Sequence, residues 1–366
     1  MTIGILKEGP GENRVALLPE HVPSLIQKEF KVLVEKGAGL ASYAIDDAYA
    51  EQGAEIKDRA AVLKESDLLF GIQSPPEKLE KEKVFVGILG PLSDKAPVEK
   101  MAKEGVIAYS LDMIPRSTRA QAVDVLSSQA TVAGYKAVLV AASELPGFFP
   151  MFMSASGTIK PSRVLILGAG VAGLQALATS RKLGAVVEVF DVRAAVKEEV
   201  LSLGGKFVEV EGAKDESAAG GYAVEQSEEY KKKQGELIQQ HAINADVVIT
   251  TAQIPGRKAP LLIHKSTVES MKPGSVIVDL AASTGGNCEL TKNNETVIHK
   301  DVKIIGNSNL ASTTPSDASK MLGKNFLNFL DLMLDDDGKL NLDVDDEIVQ
   351  ETCMCRGGEI INERIK

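Results

Sequence analysis

Several polar stretches of this 366-residue sequence carry side chains of the kinds that bind or transfer chemical groups. The first is Arg116-Ser117-Thr118-Arg119-Ala120-Gln121-Ala122-Val123-Asp124-Val125-Leu126-Ser127. On a helix beginning near Ser117, Gln121, Asp124 and Ser127 fall at i, i+3 and i+6, roughly along one face, with Arg116 at its entry. Such a set can hold a carboxamide and a ribose by hydrogen bonds without acting as acid or base. The same spacing also fits a solvated helix face with a weak Arg–Asp pair. Thr250 to Arg257 and Asp279 to Asn287 each follow an apolar run, at the carboxyl edge where parallel sheets bind ligands. Asp279 is open to three roles: catalytic acid, ribose contact or cap of its own turn. Lys214 to Gln226 is a small-residue, polar excursion around Gly220 and Gly221, with Tyr222 as its one anchor-like side chain. It reads as a lid or as a plain surface loop.

The histidines are as informative as these motifs. His21, His241, His264 and His299 stand in helical or loop contexts away from them and read as surface or packing residues. Oxidation of an alcohol or amine moves a proton with the hydride and needs a general acid or base. Hydride exchange between two nicotinamide rings needs only that the two rings be held together with water excluded.

A nucleotide is also implied by Arg163 to Arg193, RVLILGAGVAGLQALATSRKLGAVVEVFDVR. Val164 to Leu167 reads as a buried parallel strand, and a helical pattern carries Leu174, Leu177 and Leu183. The second apolar run, Val186 to Phe190, ends on Asp191. Strand, G-x-G-x-x-G, helix, strand and acid form the dinucleotide-binding order. Gly168 makes the tight turn, Gly170 lets a pyrophosphate approach, and Gly173 packs helix on strand. The helix N-terminus offers N–H groups to phosphate. Asp191 accepts from ribose hydroxyls and repels a 2′-phosphate, which favours NAD over NADP.

Two domains are the natural expectation for 366 residues. Strands at 2–6, 31–34, 67–72, 84–89 and 106–109 alternate with helices near 19–29, 46–52 and 96–104, giving a first parallel α/β layer. It has no glycine fingerprint at its first turn, where Glu8-Gly-Pro-Gly-Glu-Asn-Arg14 stands instead. Helical patterns over 118–129 and 132–145 lead to Pro146, Gly147 and Pro150. Later strands are expected at 245–251, 275–280 and 303–305, then a helix over 317–334 and a short acidic tail segment. The fold class is therefore α/β, with two Rossmann-like parallel-sheet domains and a cleft between them. Residues 131–314 form a nucleotide domain inserted into a discontinuous first domain of 1–130 plus 315–366. Apolar content of 44% with 25% charged residues is that of a soluble globular protein. A net charge of −10 argues against nucleic acid or an anionic membrane surface as main partner. The N-terminus lacks the apolar core of a signal peptide. The most apolar region, Val132 to Met153, contains Lys136, Glu144, Pro146 and Pro150, so no membrane span is expected. Cys288, Cys353 and Cys355 match neither a disulfide framework nor a zinc motif, which fits a reducing cytoplasm.

With these residues in hand, the chain resembles the alanine dehydrogenase/transhydrogenase family, and within it the NAD(H)-binding component of proton-translocating transhydrogenase. The resemblance runs over essentially the whole chain. It is carried by ENRVALLP (12–19), RSTRAQAVDVLSSQ (116–129), GAGVAGLQA (168–176), FDVRAAVKEEV (190–200), AGGYAVE (219–225), TTAQIPGRKAP (250–260) and DLAASTGGNCE (279–289). It implies that Arg116, Gln121, Asp124 and Ser127 hold the nicotinamide end of NAD(H), and that Ser117, Thr118 and Leu126 also bind the cofactor. It places Ala169, Gly170 and Val171 at the pyrophosphate, with Gly168 and Gly173 in the same cofactor-binding turn, and Asp191, Val192 and Arg193 at the adenosine ribose. Gly221, Gln234, Gln253 and Asp279 line the site, and Tyr222 tips a mobile loop over it. No metal is expected. Gln253 stands where the family commonly has leucine, and Leu18 where threonine is usual. Alanine dehydrogenases of the family place a lysine and a histidine against the substrate, where this chain has Gln73 and Leu89. Their carboxylate-binding arginine is present as Arg14. The resemblance thus implies a homodimeric subunit that binds NADH and passes hydride to NADP⁺ on a membrane-spanning partner, on the cytoplasmic side of the inner membrane. A non-catalytic NAD-sensing module is the alternative of a different class; the intact Arg-Gln-Asp cluster and the Tyr222 loop weigh against it.

Overall fold

Runs of β-branched and leucine residues bounded by glycine turns become strands covered on both faces. The computed structural model describes residues 1–209 and 228–366. Its chain divides into two units, Met1–Gln129 with Ala311–Lys366, and Ala130–Leu310. The second is inserted into the first, with junctions at 130 and 310 against the expected 131 and 314.

In the first unit six parallel strands lie in the spatial order Glu55–Lys57, Lys31–Glu35, Thr2–Ile5, Leu68–Phe70, Val84–Gly87, Ile107–Ser110. Numbered along the chain this is 3-2-1-4-5-6, the doubly wound order. Leu33, Leu69 and Phe85 face one apolar core; Ile3, Ile5, Val32, Phe70 and Val86 face the other. Helix Pro315–Leu332 closes the latter with Leu322, Phe326, Phe329 and Leu330. Phe326 meets Phe70 edge-on, with ring centroids 5.3 Å apart.

The tail is a correction. Read as an acidic segment, it folds as helix Glu347–Thr352 and strands Cys353–Arg356 and Glu359–Ile360, which extend the first sheet antiparallel beyond Ile107–Ser110. Its apolar residues, Ile348, Val349, Cys353-Met354-Cys355 and Ile360, fall in runs too short to show a period, and the sheet edge supplies the pairing that local sequence does not announce. All three cysteines are buried free thiols. Burial pushes Cys288 and Cys353 up to about 11 and Cys355 to about 12, so they stay protonated and packed.

The second unit repeats the topology. Lys206–Phe207, Val186–Phe190, Arg163–Leu167, Val247–Thr250, Val276–Asp279 and Val302–Ile305 run parallel in the same 3-2-1-4-5-6 order. Thr296–His299 adds an antiparallel edge, so His299 sits at a strand end rather than in a helix or loop. A small hairpin, Phe152–Ser154 with Gly157–Ile159, pairs with no other strand among the described residues.

The reading of 118–129 and 132–145 as two helices is also corrected. Thr118–Val123 is a 3-10 turn, Asp124 is extended (φ −74°, ψ 91°), and one helix runs from Val125 to Glu144. The break falls at Asp124 because its short carboxylate accepts the Ser127 N–H at 2.9 Å and caps the helix that follows. By length and composition alone this is the one described helix that could cross a membrane. Ala137, Val138 and Ala141 on it are packed in a core of the second unit.

Candidate functional site

The two loops that leave the second sheet in opposite directions, after Leu167 and after Thr250, border the point where strand order reverses. Open α/β sheets bind ligands at that point. Gly168 has φ +106°, and a Cβ there would lie 2.5 Å from Thr251 Oγ1, so the turn is closed to other residues. A Cβ on Gly173 would sit 1.8 Å from the Gly168 carbonyl oxygen, which shows how closely helix Val171–Lys182 seats on the turn. Gly170 differs from both: nothing lies within 4 Å of its absent side chain. The open space lies at the helix N-terminus, where first-turn N–H groups lack intrahelical acceptors. Gly134, which sequence reasoning did not single out, fixes this helix from behind. A Cβ there would lie 2.2 Å from the Ala172 carbonyl oxygen.

Asp191, just past the second strand, is a three-way clasp. Its Oδ2 accepts the Ala169 N–H at 2.7 Å, and its Oδ1 accepts the Arg193 N–H and Nε–H, each at 2.9 Å. Arg193 Nη2 completes a bidentate pair at 2.9 Å. The pair lifts the guanidinium pKa above its usual value. The Ala169 N–H is thus committed to Asp191. Val192 is half-buried between the two members of the clasp.

Asp279 resolves to the capping role. It is fully buried, and its oxygens accept from Thr250 Oγ1, Ala281 N, Asn287 N, Cys288 N and Thr291 Oγ1. Of the three roles open to it, the structure shows the cap: the side chain has no exposed surface and both oxygens are engaged by the turn that follows the strand. It shapes the loop that carries Asn287, a residue whose role has no signal in the sequence. Asn287 Oδ1 accepts the Ala252 N–H at 3.1 Å, and Nδ2 donates to the carbonyls of Ala252 (2.9 Å) and Pro260 (2.8 Å). Loop 251–260 is thereby pinned beside the glycine turn, with Thr251 Oγ1 on the Gly168 carbonyl at 3.1 Å. Gln253 is exposed and donates to Leu280 O at 3.1 Å.

In the first unit the 116–127 segment divides by role. Arg116, Ser117, Thr118, Gln121 and Leu126 are exposed. Asp124 and Ser127 are engaged with each other, the Ser127 hydroxyl donating to Asp124 Oδ2 at 2.6 Å. The expected single polar face is therefore a 3-10 turn presenting Gln121, followed by a helix cap. Asn325 and Asn328 of helix Pro315–Leu332 hold the turn through the Ala122 carbonyl, at 2.9 and 2.8 Å. Gln129 ties the same helix to Arg14, donating to Ala318 O at 3.1 Å and accepting from Arg14 Nη1 at 2.8 Å. No spacing rule links positions two hundred residues apart, so Asn325 and Asn328 carry no sequence signal.

Arg14 is otherwise taken up by Glu12, to which its Nε and Nη2 donate at 2.8 and 2.6 Å. Leu89 lies in the core. Glu8 reaches across the reversal point of the first sheet to the Ile72 and Gln73 N–H groups at 2.7 and 2.9 Å. Burial pushes its pKa up to about 7. Buried His21 accepts the Leu18 N–H through Nδ1 at 2.9 Å, and burial lowers its pKa. His241 pairs with Glu188 and His299 with Glu269. Gln234 is half-buried on helix Glu228–Asn244. Gly221 and Tyr222 lie outside the described residues.

These features define a dinucleotide-binding architecture of two doubly wound units, one of which carries the phosphate-binding turn. Residues 4–133 match the model of the alanine dehydrogenase/PNT N-terminal domain, and residues 137–363 that of the C-terminal domain; the chain belongs to this family. It is 46% identical to the first portion of the NAD(P) transhydrogenase alpha subunit of Rhodospirillum rubrum, over 99% of this chain and 98% of that one. "Alanine dehydrogenase 1" of Staphylococcus aureus is 32% identical over 79% of this chain and 74% of its own. Among solved structures, the transhydrogenase of Sinorhizobium meliloti superposes with a TM-score of 0.91 at 40% identity, covering 99% of this chain and all of that one.

Proposed function

We propose that this chain is the NAD(H)-binding component of a proton-translocating transhydrogenase, and that it exchanges hydride with NADP(H) held on a partner subunit. The supporting observation is the second unit's reversal point, shaped for a dinucleotide, in a chain that matches a transhydrogenase alpha-subunit polypeptide end to end. The residues fit the ligand. Gly170 leaves room for a pyrophosphate at the helix N-terminus, and Asp191 offers its carboxylate to an unphosphorylated ribose. Gln121, with Arg116, Ser117 and Thr118, offers amide, guanidinium and hydroxyl groups to a carboxamide and its ribose, while Asp124 and Ser127 fix their turn. When bound, the dihydronicotinamide supplies the hydride, and the chain's own task is to bind, orient and shield it.

The same side chains favour this reading over amino-acid dehydrogenation, the activity named for the alanine dehydrogenase relatives. Gln73 and Leu89 supply no proton-transfer group, and Arg14 is occupied by Glu12 and Gln129. Tyr222 and Gly221 are proposed to close over the nucleotide, with Gln234 and Gln253 lining it. The chain acts as a homodimer on the cytoplasmic side of the inner membrane, held there by partner subunits that couple the exchange to proton movement. The self-paired hairpin supports self-association: Phe148, Met151, Phe152, Met153 and Ile159 are all exposed there.

The test mixes the protein with an NADP(H)-binding transhydrogenase component and follows exchange between NADH and an NADP⁺ analogue. Exchange is expected, with no turnover of pyruvate plus ammonium; pyruvate turnover would sink the proposal. Gln121→Asn is expected to slow exchange far more than it weakens NADH binding. Equal losses would reduce Gln121 to a binding residue.

A further inference from the structure

The clasp at Asp191 holds a second specificity element. A carboxylate at the end of the second strand is ordinarily weighed by what it does to the ribose: it accepts from the hydroxyls and repels a phosphate. Here it also holds a cation in place. Arg193 lies two residues on, its guanidinium laid bidentately along the carboxylate, with Nε on Oδ1 and Nη2 on Oδ2, each at 2.9 Å. Its backbone N–H donates to Oδ1 as well, so the 191–193 turn is wound tightly around the acid. The carboxylate is nearly buried and the guanidinium about a third exposed, so the arginine forms the solvent-facing side of the pair. A planar guanidinium at this edge is the group that recognises a phosphate monoester bidentately.

We propose that Arg193 is a masked receptor for a 2′-phosphorylated adenosine, kept silent because Asp191 neutralises and orients it. Discrimination against NADP(H) then has two components, repulsion by the acid and sequestration of the arginine. Loss of the acid converts the site rather than merely relaxing it. This rests on the reading that the crevice takes the adenosine end of NAD(H), and the experiment separates the two.

Binding of NADH, NADPH, 5′-AMP and 2′-AMP to the intact chain is measured by calorimetry for the wild type, Asp191→Asn, Arg193→Ala and the double variant. Asp191→Asn retains a carbonyl oxygen for the Ala169 N–H, and thermal melting confirms that each variant folds. Asp191→Asn is expected to lose about tenfold in NADH affinity and to gain about tenfold for NADPH and 2′-AMP; the double variant is expected to lose that gain. A gain of equal size with and without Arg193 overturns the proposal, because repulsion alone then accounts for selectivity. So does an Asp191→Asn protein that binds NADH but gains nothing for 2′-AMP. Should Asp191→Asn fail to fold, Asp191→Ser with and without Arg193 is put through the same titrations; the gain for 2′-AMP is expected only where Arg193 is present, and an equal gain without it overturns the idea. A wild type that binds neither NADH nor 5′-AMP defeats the underlying reading and this inference with it.

Discussion

Two sheets of the same strand order lie in this chain, and among the described residues their first turns differ. Both sheets reverse strand order between their first and fourth strands. In the second unit the first turn is three glycines and a twelve-residue helix whose N-terminus faces the opening. In the first unit the turn is Glu8-Gly-Pro-Gly-Glu12, and no α-helix begins before Val22. Its crevice amides, those of Ile72 and Gln73, are already capped by Glu8. A pyrophosphate would meet a carboxylate there instead of free N–H groups. Topology supplies the place; the first turn decides what can occupy it.

The glycines give the largest expected contrast. Gly173→Ala drives a methyl into the Gly168 carbonyl, so a loss of about 3 kcal/mol in the second unit and no NADH binding are expected by denaturant unfolding and titration. Gly170→Ala meets no protein atom; it should melt like wild type yet bind NADH about tenfold more weakly. Gly9→Ala, in the corresponding turn of the first unit, meets only the end of the Gln73 side chain at 3.1 Å and should change neither.

Glu8 sharpens the comparison through pH. Its folded pKa of about 7 lies above the unfolded value, so the folded state binds more protons between roughly pH 4.5 and 7. The stability this contributes is present below that window and lost as pH rises through 7. Glu8→Gln should therefore gain roughly 3–6 °C in melting temperature relative to wild type on going from pH 5 to pH 8. A constant difference would mean that the carboxylate is not held from solvent. The smallest effect is expected for Gln253→Leu, which removes one exposed hydrogen bond and should shift NADH affinity by less than about 0.5 kcal/mol.

The fingerprint, Asp191 and the doubly wound second unit are legible in the sequence because their signals are local: apolar runs, glycine spacing and an acid at a strand end. The 116–127 segment is legible in content but not in shape. A 3.6-residue period cannot reveal that Asp124 prefers capping Ser127 to continuing a helix. Asp279 misleads because an acid at a strand terminus looks alike whether it faces a ligand or five protein donors. Asn287, Asn325 and the C-terminal strands depend on partners far along the chain, which no window of sequence contains.

Direct hydride exchange without an acid–base group is the central claim, and an isotope tests it most directly. NADH deuterated at the transferable C4 position is mixed with NADP⁺, this protein and an NADP(H)-binding partner component in ordinary water, and the NADPH formed is analysed by mass. Full retention of deuterium in NADPH is expected; loss of the label to solvent would contradict direct transfer.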